Sequence, residues 1–165
     1  YELTKEIAAV PYISIPLVPL QGEEYKNFEP NDACVGDLDG DGELEIVIKR
    51  IGANYACTQL GICPGGNILE AYKLDGTRLW QVNAGPNVRQ GAQYFPWMVY
   101  DFDGDGCAEV VFKTSEGAVF GDGAMIGDTD GDGLPDYVIR DSAAVANRTF
   151  GQILSGPEFF SVVDG

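Results

Sequence analysis

Three short stretches carry enough carboxylate, at regular enough spacing, to bind a metal. In GDLDGDGELEIVIK (36–49), Asp37, Asp39 and Asp41 alternate with other residues, and Glu45 follows four residues later. Like charges held this close repel and call for an offsetting cation. With Asp37 as position 1, carboxylates occupy positions 1, 3, 5 and 9. Gly42 at position 6 permits a sharp turn, and Glu43 at position 7 can offer its backbone carbonyl. Such a ladder of hard oxygens suits Ca2+, which takes about six to eight oxygen ligands, better than Mg2+ with its stricter octahedron.

The spacing recurs twice. YDFDGDGCAEVVFK (100–113) places Asp101, Asp103, Asp105 and Glu109 at the same four positions, with Cys107 at position 7. GDTDGDGLPDYVIR (127–140) does so with Asp128, Asp130, Asp132 and Asp136, with Leu134 at position 7. An EF-hand would need a bidentate glutamate at position 12 between two helices. Position 12 is instead Ile48, Phe112 or Ile139, each inside an apolar, β-branched run. The expected unit is therefore a compact calcium loop that launches a strand. Polar hairpin turns rich in Asp and Gly are the alternative. Recurrence of all four carboxylate positions favours the metal, with about three ions expected.

The elements that must position these loops read as strands. Helical periodicity is not sustained anywhere over three turns, whereas short apolar runs alternate with Gly- and Asp-rich turns. Strands are expected at 32–36, 44–50, 67–73, 78–82, 94–100, 108–114, 118–120, 124–127, 136–140 and 158–163. YKLDGTRLW (72–80) has the form of a hairpin turning at Asp75-Gly76. Residues 1–30 read as an extended, proline-interrupted lead-in, and 31–165 as all-β. The acidic loops begin at Asp37, Asp101 and Asp128, at unequal intervals. They do not simply count repeats, but β-propeller blades are the expected architecture, with material for only part of a ring.

Composition narrows the partners. The 165 residues hold 26 acidic and 10 basic side chains, a formal net charge of −16, and no histidine. Three divalent ions would offset about six of those charges. The remainder disfavours nucleic acid and anionic membrane surfaces. Without histidine the commonest general base is missing and a zinc site is disfavoured. VPYISIPLVPL (10–20) is apolar, but its prolines forbid a spanning helix. No signal peptide is recognisable and the first residue is Tyr1, the expectation for a mature or excised chain. Cys57 and Cys63 bracket a short loop and could pair, leaving Cys34 and Cys107; four buried thiols are the alternative. Asn147-Arg148-Thr149 is a glycosylation sequon. Calcium loops and disulfides together suit an extracellular setting.

Four longer stretches occur in a telling order: NDACVGDLDGDGELEIVIK (31–49), GGNILEAYKLDGTRLW (65–80), NVRQGAQYFPWMVYDFDGDGCAEVVFKT (87–114) and LSGPEFFSVVDG (154–165). Together they resemble the N-terminal part of the propeller in bacterial rhamnogalacturonan lyases of polysaccharide lyase family eleven. The resemblance implies an extracellular, calcium-rich β-propeller that cleaves the pectin backbone by β-elimination at galacturonate. Such chemistry removes the proton at C5 beside a carboxylate whose charge must be neutralised. The candidates for that work are Lys49, Arg89, Tyr94 and Lys113, with Lys49, Arg89 and Lys113 on matching family positions. Asn31 matches a position that contacts sugar, and Arg50 and Gln93 are further candidates for binding. Two stretches depart from the family pattern. Arg-Ala-Gly-Ala-His-Tyr is here Arg89-Gln90-Gly91-Ala92-Gln93-Tyr94, and the Trp-Asp after the lysine is here Arg50-Ile51. Gln93 cannot act as a base. The second reading is a non-catalytic, calcium-stabilised module for carbohydrate binding, adhesion or assembly, in which open sheet edges invite self-association.

Overall fold

A computed structural model describes residues 12–53, 65–85, 88–91, 94–127 and 158–165. The described residues are all-β apart from one 3-10 turn, Glu23–Tyr25. Among them seven strands follow: β1 (Phe28–Gly36), β2 (Glu45–Gly52), β3 (Ile68–Tyr72), β4 (Arg78–Asn83), β5 (Trp97–Tyr100), β6 (Glu109–Ser115) and β7 (Glu158–Val163). They form two antiparallel sheets, one in the order β1-β2-β3-β4 and the other β5-β6-β7. The expected strands at 118–120 and 124–127 shrink to single bridges, Asn83 with Val119 and Val119 with Met125. The expected strand 136–140, Cys57, Cys63 and the Asn147 sequon lie outside the described residues.

The core is shared between the sheets. Val47 of β2, Leu69 and Ala71 of β3 and Val82 of β4 join Val110 and Phe112 of β6, with Phe95 and Leu38 completing the cluster. Burying such side chains contributes roughly 1.5–3 kcal/mol each. Where the sheets meet, Gly36 ends β1 because nothing larger fits. A Cβ there would lie 2.5 Å from Val99 Cγ1 and 3.0 Å from Ala108 Cβ.

The β3–β4 hairpin turns where the sequence predicts. Lys73 N–H donates to the Thr77 carbonyl (2.9 Å), Gly76 N–H donates to the Lys73 carbonyl (3.0 Å), and Gly76 takes φ 93°, a left-handed conformation natural to glycine.

The lead-in packs on the first sheet as a strap. Val18 donates its N–H to the Tyr72 hydroxyl (3.0 Å) and accepts from Arg50 Nη1 on its carbonyl (2.8 Å). Behind it lies a buried ionic group: Glu70, fully buried, accepts from Arg50 (3.2 Å) and Arg78 (3.0 Å). Leu20 and Tyr25 then pack on Phe28 and Ile68.

Candidate functional site: two acidic loops and a cationic junction

The first acidic loop joins β1 to β2 and the second joins β5 to β6. Both are folded by the same four hydrogen bonds. The position 1 aspartate accepts from the N–H of position 4 and of position 6: Asp37 from Gly40 (2.8 Å) and Gly42 (2.9 Å), Asp101 from Gly104 (2.7 Å) and Gly106 (3.1 Å). The position 5 aspartate accepts from position 7: Asp41 from Glu43 and Asp105 from Cys107, both 2.8 Å. The position 9 glutamate reaches back to the N–H of position 2: Glu45 to Leu38 (2.8 Å) and Glu109 to Phe102 (2.7 Å). All four glycines at positions 4 and 6 have positive φ, between 73° and 98°. This is why glycine stands at both positions in both loops.

The donor set fits a hard divalent cation. Asp101, Asp103, Asp105 and Glu109 converge within 4.8 Å of one another, as do Asp37, Asp39 and Glu45. Glu45 and Glu109 are only 1% and 7% exposed, and buried carboxylates need countercharge. Among the described residues no ammonium or guanidinium pairs with the second loop's four carboxylates. The first loop differs. Lys73, from the hairpin, pairs with Asp39 (2.5 Å) and Asp41 (3.0 Å), and Asp41 stands outside the converging set. These pairs push the Lys73 ammonium strongly upward in pKa, so it is charged throughout the working range. The Glu43 N–H, then Lys73, holds the Asp41 carboxyl below its usual value. Position 12 residues Ile48 and Phe112 lie inside β2 and β6, as a loop-then-strand unit requires. The third loop, Asp128, Asp130, Asp132, Leu134 and Asp136, lies outside the described residues.

The cationic candidates divide. Lys49 is fully buried in the middle of β2, its ammonium 3.1 Å from Asp32 and 5.0 Å from the centre of the Trp97 ring. Asp32 is the solvent-facing member of that pair, and it sits beside exposed Asn31 at the irregularity that interrupts β1–β2 pairing between Pro30 and Ala33. Lys49 thus bridges the first sheet to β5 of the second. Arg50 is engaged by Glu70 and Val18 instead of facing solvent. Lys113 pairs with Glu158 of β7 (2.7 Å) and lines a groove of about 400 Å³ with Trp97, Phe112 and Phe160.

Arg89 and Tyr94 do come together. The guanidinium carbon lies 3.6 Å from the centre of the ring of Tyr94, an exposed residue. The backbone carrying Arg89 is held from below. Buried Asn67 donates to the Val88 (3.2 Å) and Arg89 (3.3 Å) carbonyls, and buried Gln90 donates to the Gly66 carbonyl. Gln93 lies outside the described residues. Tyr72 is buried, while Trp80 and Trp97 are partly buried and pack against the core. Sequence reasoning missed Asp32 and Lys73. Neither has a local signal, since each acquires its partner through strand pairing, Lys49 from β2 and the first loop from the neighbouring turn.

Residues 12–165 match the model of the C-terminal domain of rhamnogalacturonan lyase family 11. The chain is 40% identical over 163 residues to the rhamnogalacturonan endolyase YesW of Bacillus subtilis (strain 168), covering 95% of this chain and 24% of that protein. It is also 40% identical over 158 residues to the rhamnogalacturonan exolyase YesX of the same organism, covering 93% and 24%. In three dimensions it is similar to a Bacillus licheniformis rhamnogalacturonan lyase, with a TM-score of 0.75 at 39% identity over 93% of this chain and 25% of that one. The chain therefore spans about a quarter of the length of these relatives. With the family model matching nearly its whole length, the chain belongs to rhamnogalacturonan lyase family 11.

Proposed function

We propose that this chain is the part of an extracellular, calcium-dependent rhamnogalacturonan lyase that supplies the first blades of a β-propeller and part of its polysaccharide cleft. The four-stranded meander β1-β2-β3-β4 has the form of a blade, and β5-β6-β7 begins the next. Calcium in the acidic loops, three ions with the third loop included, would neutralise Glu45 and Glu109 and hold the turns that launch β2 and β6. A polymeric substrate is consistent with secretion, and the acidic surface disfavours nucleic acid as a partner. No helix among the described residues is long and apolar enough to cross a membrane.

One observation carries the catalytic reading: a guanidinium stacked on an exposed phenol. β-Elimination at galacturonate takes the C5 proton, forms the C4–C5 double bond and releases the C4 oxygen to the neighbouring sugar. Arg89 offers charge to the uronate carboxylate and stabilises the negative charge that develops there. Tyr94 offers a group able to move a proton beside it. Lys49 and Lys113 are ion-paired, with Asp32 and Glu158 respectively.

The test is ultraviolet absorbance of an unsaturated uronate while the protein meets rhamnogalacturonan, first with calcium and then with chelator. A calcium-dependent rise is expected. A folded, calcium-loaded chain that gives no rise moves the reading to the second one, a binding or assembly module that self-associates through its open edges. Among the described residues β1 and β5 each pair on one side only, which favours that alternative.

A further inference from the structure

The two described loops share their backbone plan but not their electrostatics: position 7 is Glu43 in one and Cys107 in the other, and a lysine pairs with the first loop alone among the described residues. In the first loop a lysine from outside the motif already occupies the acidic mouth. Lys73 pairs with Asp39 and Asp41, the position 3 and position 5 carboxylates. Their counterparts Asp103 and Asp105 have no such pair among the described residues and converge with Asp101 and Glu109. The tethered ammonium shows that the first loop attracts a cation, and it competes for the same oxygens a divalent ion would need. Asp41 also stands outside the converging set, which holds three carboxylates against four in the second loop.

Resting on the calcium reading above, we infer that Lys73 is an affinity-setting residue: it weakens divalent cation binding at the first loop, so that the second loop fills before it. Calcium entering the first loop must either displace the ammonium or share Asp39 and Asp41 with it. Both routes cost affinity, and both disappear with the charge. The cost is moderate because the pairs are partly exposed and screened. Displaced, the ammonium has another carboxylate on its own hairpin, Asp75, which already feels its charge. Occupancy of the first loop is thereby coupled to the β3–β4 hairpin.

The experiment is calorimetric titration of chelator-stripped protein with CaCl2 at low ionic strength. It is done in a D130N background that silences the third loop. D39N and D103N assign the two remaining steps. The expected result is a tighter step lost in D103N and a weaker step lost in D39N. K73M should tighten the weaker step about three- to tenfold, an effect on the scale of partly exposed ion pairs, and leave the tighter one within about twofold. K73R, which keeps the charge, should behave as the parent. K73Q serves as a second charge-removing variant, with circular dichroism to establish that each variant is folded. A first-loop constant unchanged or weakened in folded K73M and K73Q overturns the inference while the calcium reading stands. Absence of any calcium heat in the parent overturns both.

Discussion

The backbone N–H of Ala108 donates to the carbonyl of Asp37 at 2.6 Å. This bond ties the first residue of one acidic loop to the eighth position of the other. Leu38 and Ala108, next to it, are both buried in the shared core. The side of Gly40 faces Cys107, whose Sγ would lie 2.9 Å from a Cβ added there. The loops are thus neighbours, and the Cys107 thiol is pushed up in pKa by burial first and then by carboxylates of both loops, Asp105, Asp37, Asp101 and Asp39. Two clusters of negative charge this close destabilise the chain unless cations offset them.

Chelation should therefore lower the thermal midpoint. An ion at about a hundred times its dissociation constant stabilises the folded state by ~2.7 kcal/mol. In a chain of this size that amounts to roughly 5–10 °C per fully occupied site. Differential scanning calorimetry with calcium and then with chelator checks this. E109Q should lose most of the second loop's share, because Glu109 both faces the cluster and caps the Phe102 N–H.

Glu70 holds two arginines in a buried setting. E70Q should destabilise by about 3 kcal/mol, the usual cost of leaving a buried charge without its partner. It should also loosen the lead-in, because Arg50 then has only the Val18 carbonyl to hold it in place. Urea unfolding gives the stability, and hydrogen exchange at Val18 reports the strap.

The Asp75 carboxyl is held below its usual value, chiefly by the Thr77 backbone N–H. A depressed carboxyl contributes stability above its unfolded pKa and loses it as pH falls through the folded one. D75N should thus be less stable than the parent at neutral pH, and the two should converge only as the pH falls below the ordinary aspartate range. Unfolding curves between neutral and strongly acidic pH check the convergence.

Arg89 and Tyr94 should be separable in the lyase assay. R89K keeps the charge but loses the planar stack and the forked donor geometry, and should lower kcat/KM about 10- to 100-fold. Y94F keeps the ring that supports Arg89 and removes only the hydroxyl, so its loss should fall on kcat with KM little changed. Equal losses in both parameters for Y94F would remove Tyr94 from proton transfer.

The acidic loops were legible because their chemistry is local. Alternate carboxylates, glycines at positions 4 and 6 and an apolar position 12 lie within a dozen residues, and backbone hydrogen bonds of that range close them. The Asp75-Gly76 hairpin was legible for the same reason. The bridges at Val119 were not: that segment reads as two strands, but only single residues pair there.

The sequence by itself determined an all-β chain, the loop-then-strand units and the family. Tertiary structure alone decided what the cations do. Period-2 alternation says which face a residue takes but not what lies across the sheet from it. Strand pairing and sheet packing bring Asp32 and Trp97 to Lys49, Glu70 to Arg50, and the hairpin's Lys73 to the first loop. Partners 17 to 48 residues apart in the chain meet only after the sheets form, so no local pattern in the sequence encodes them.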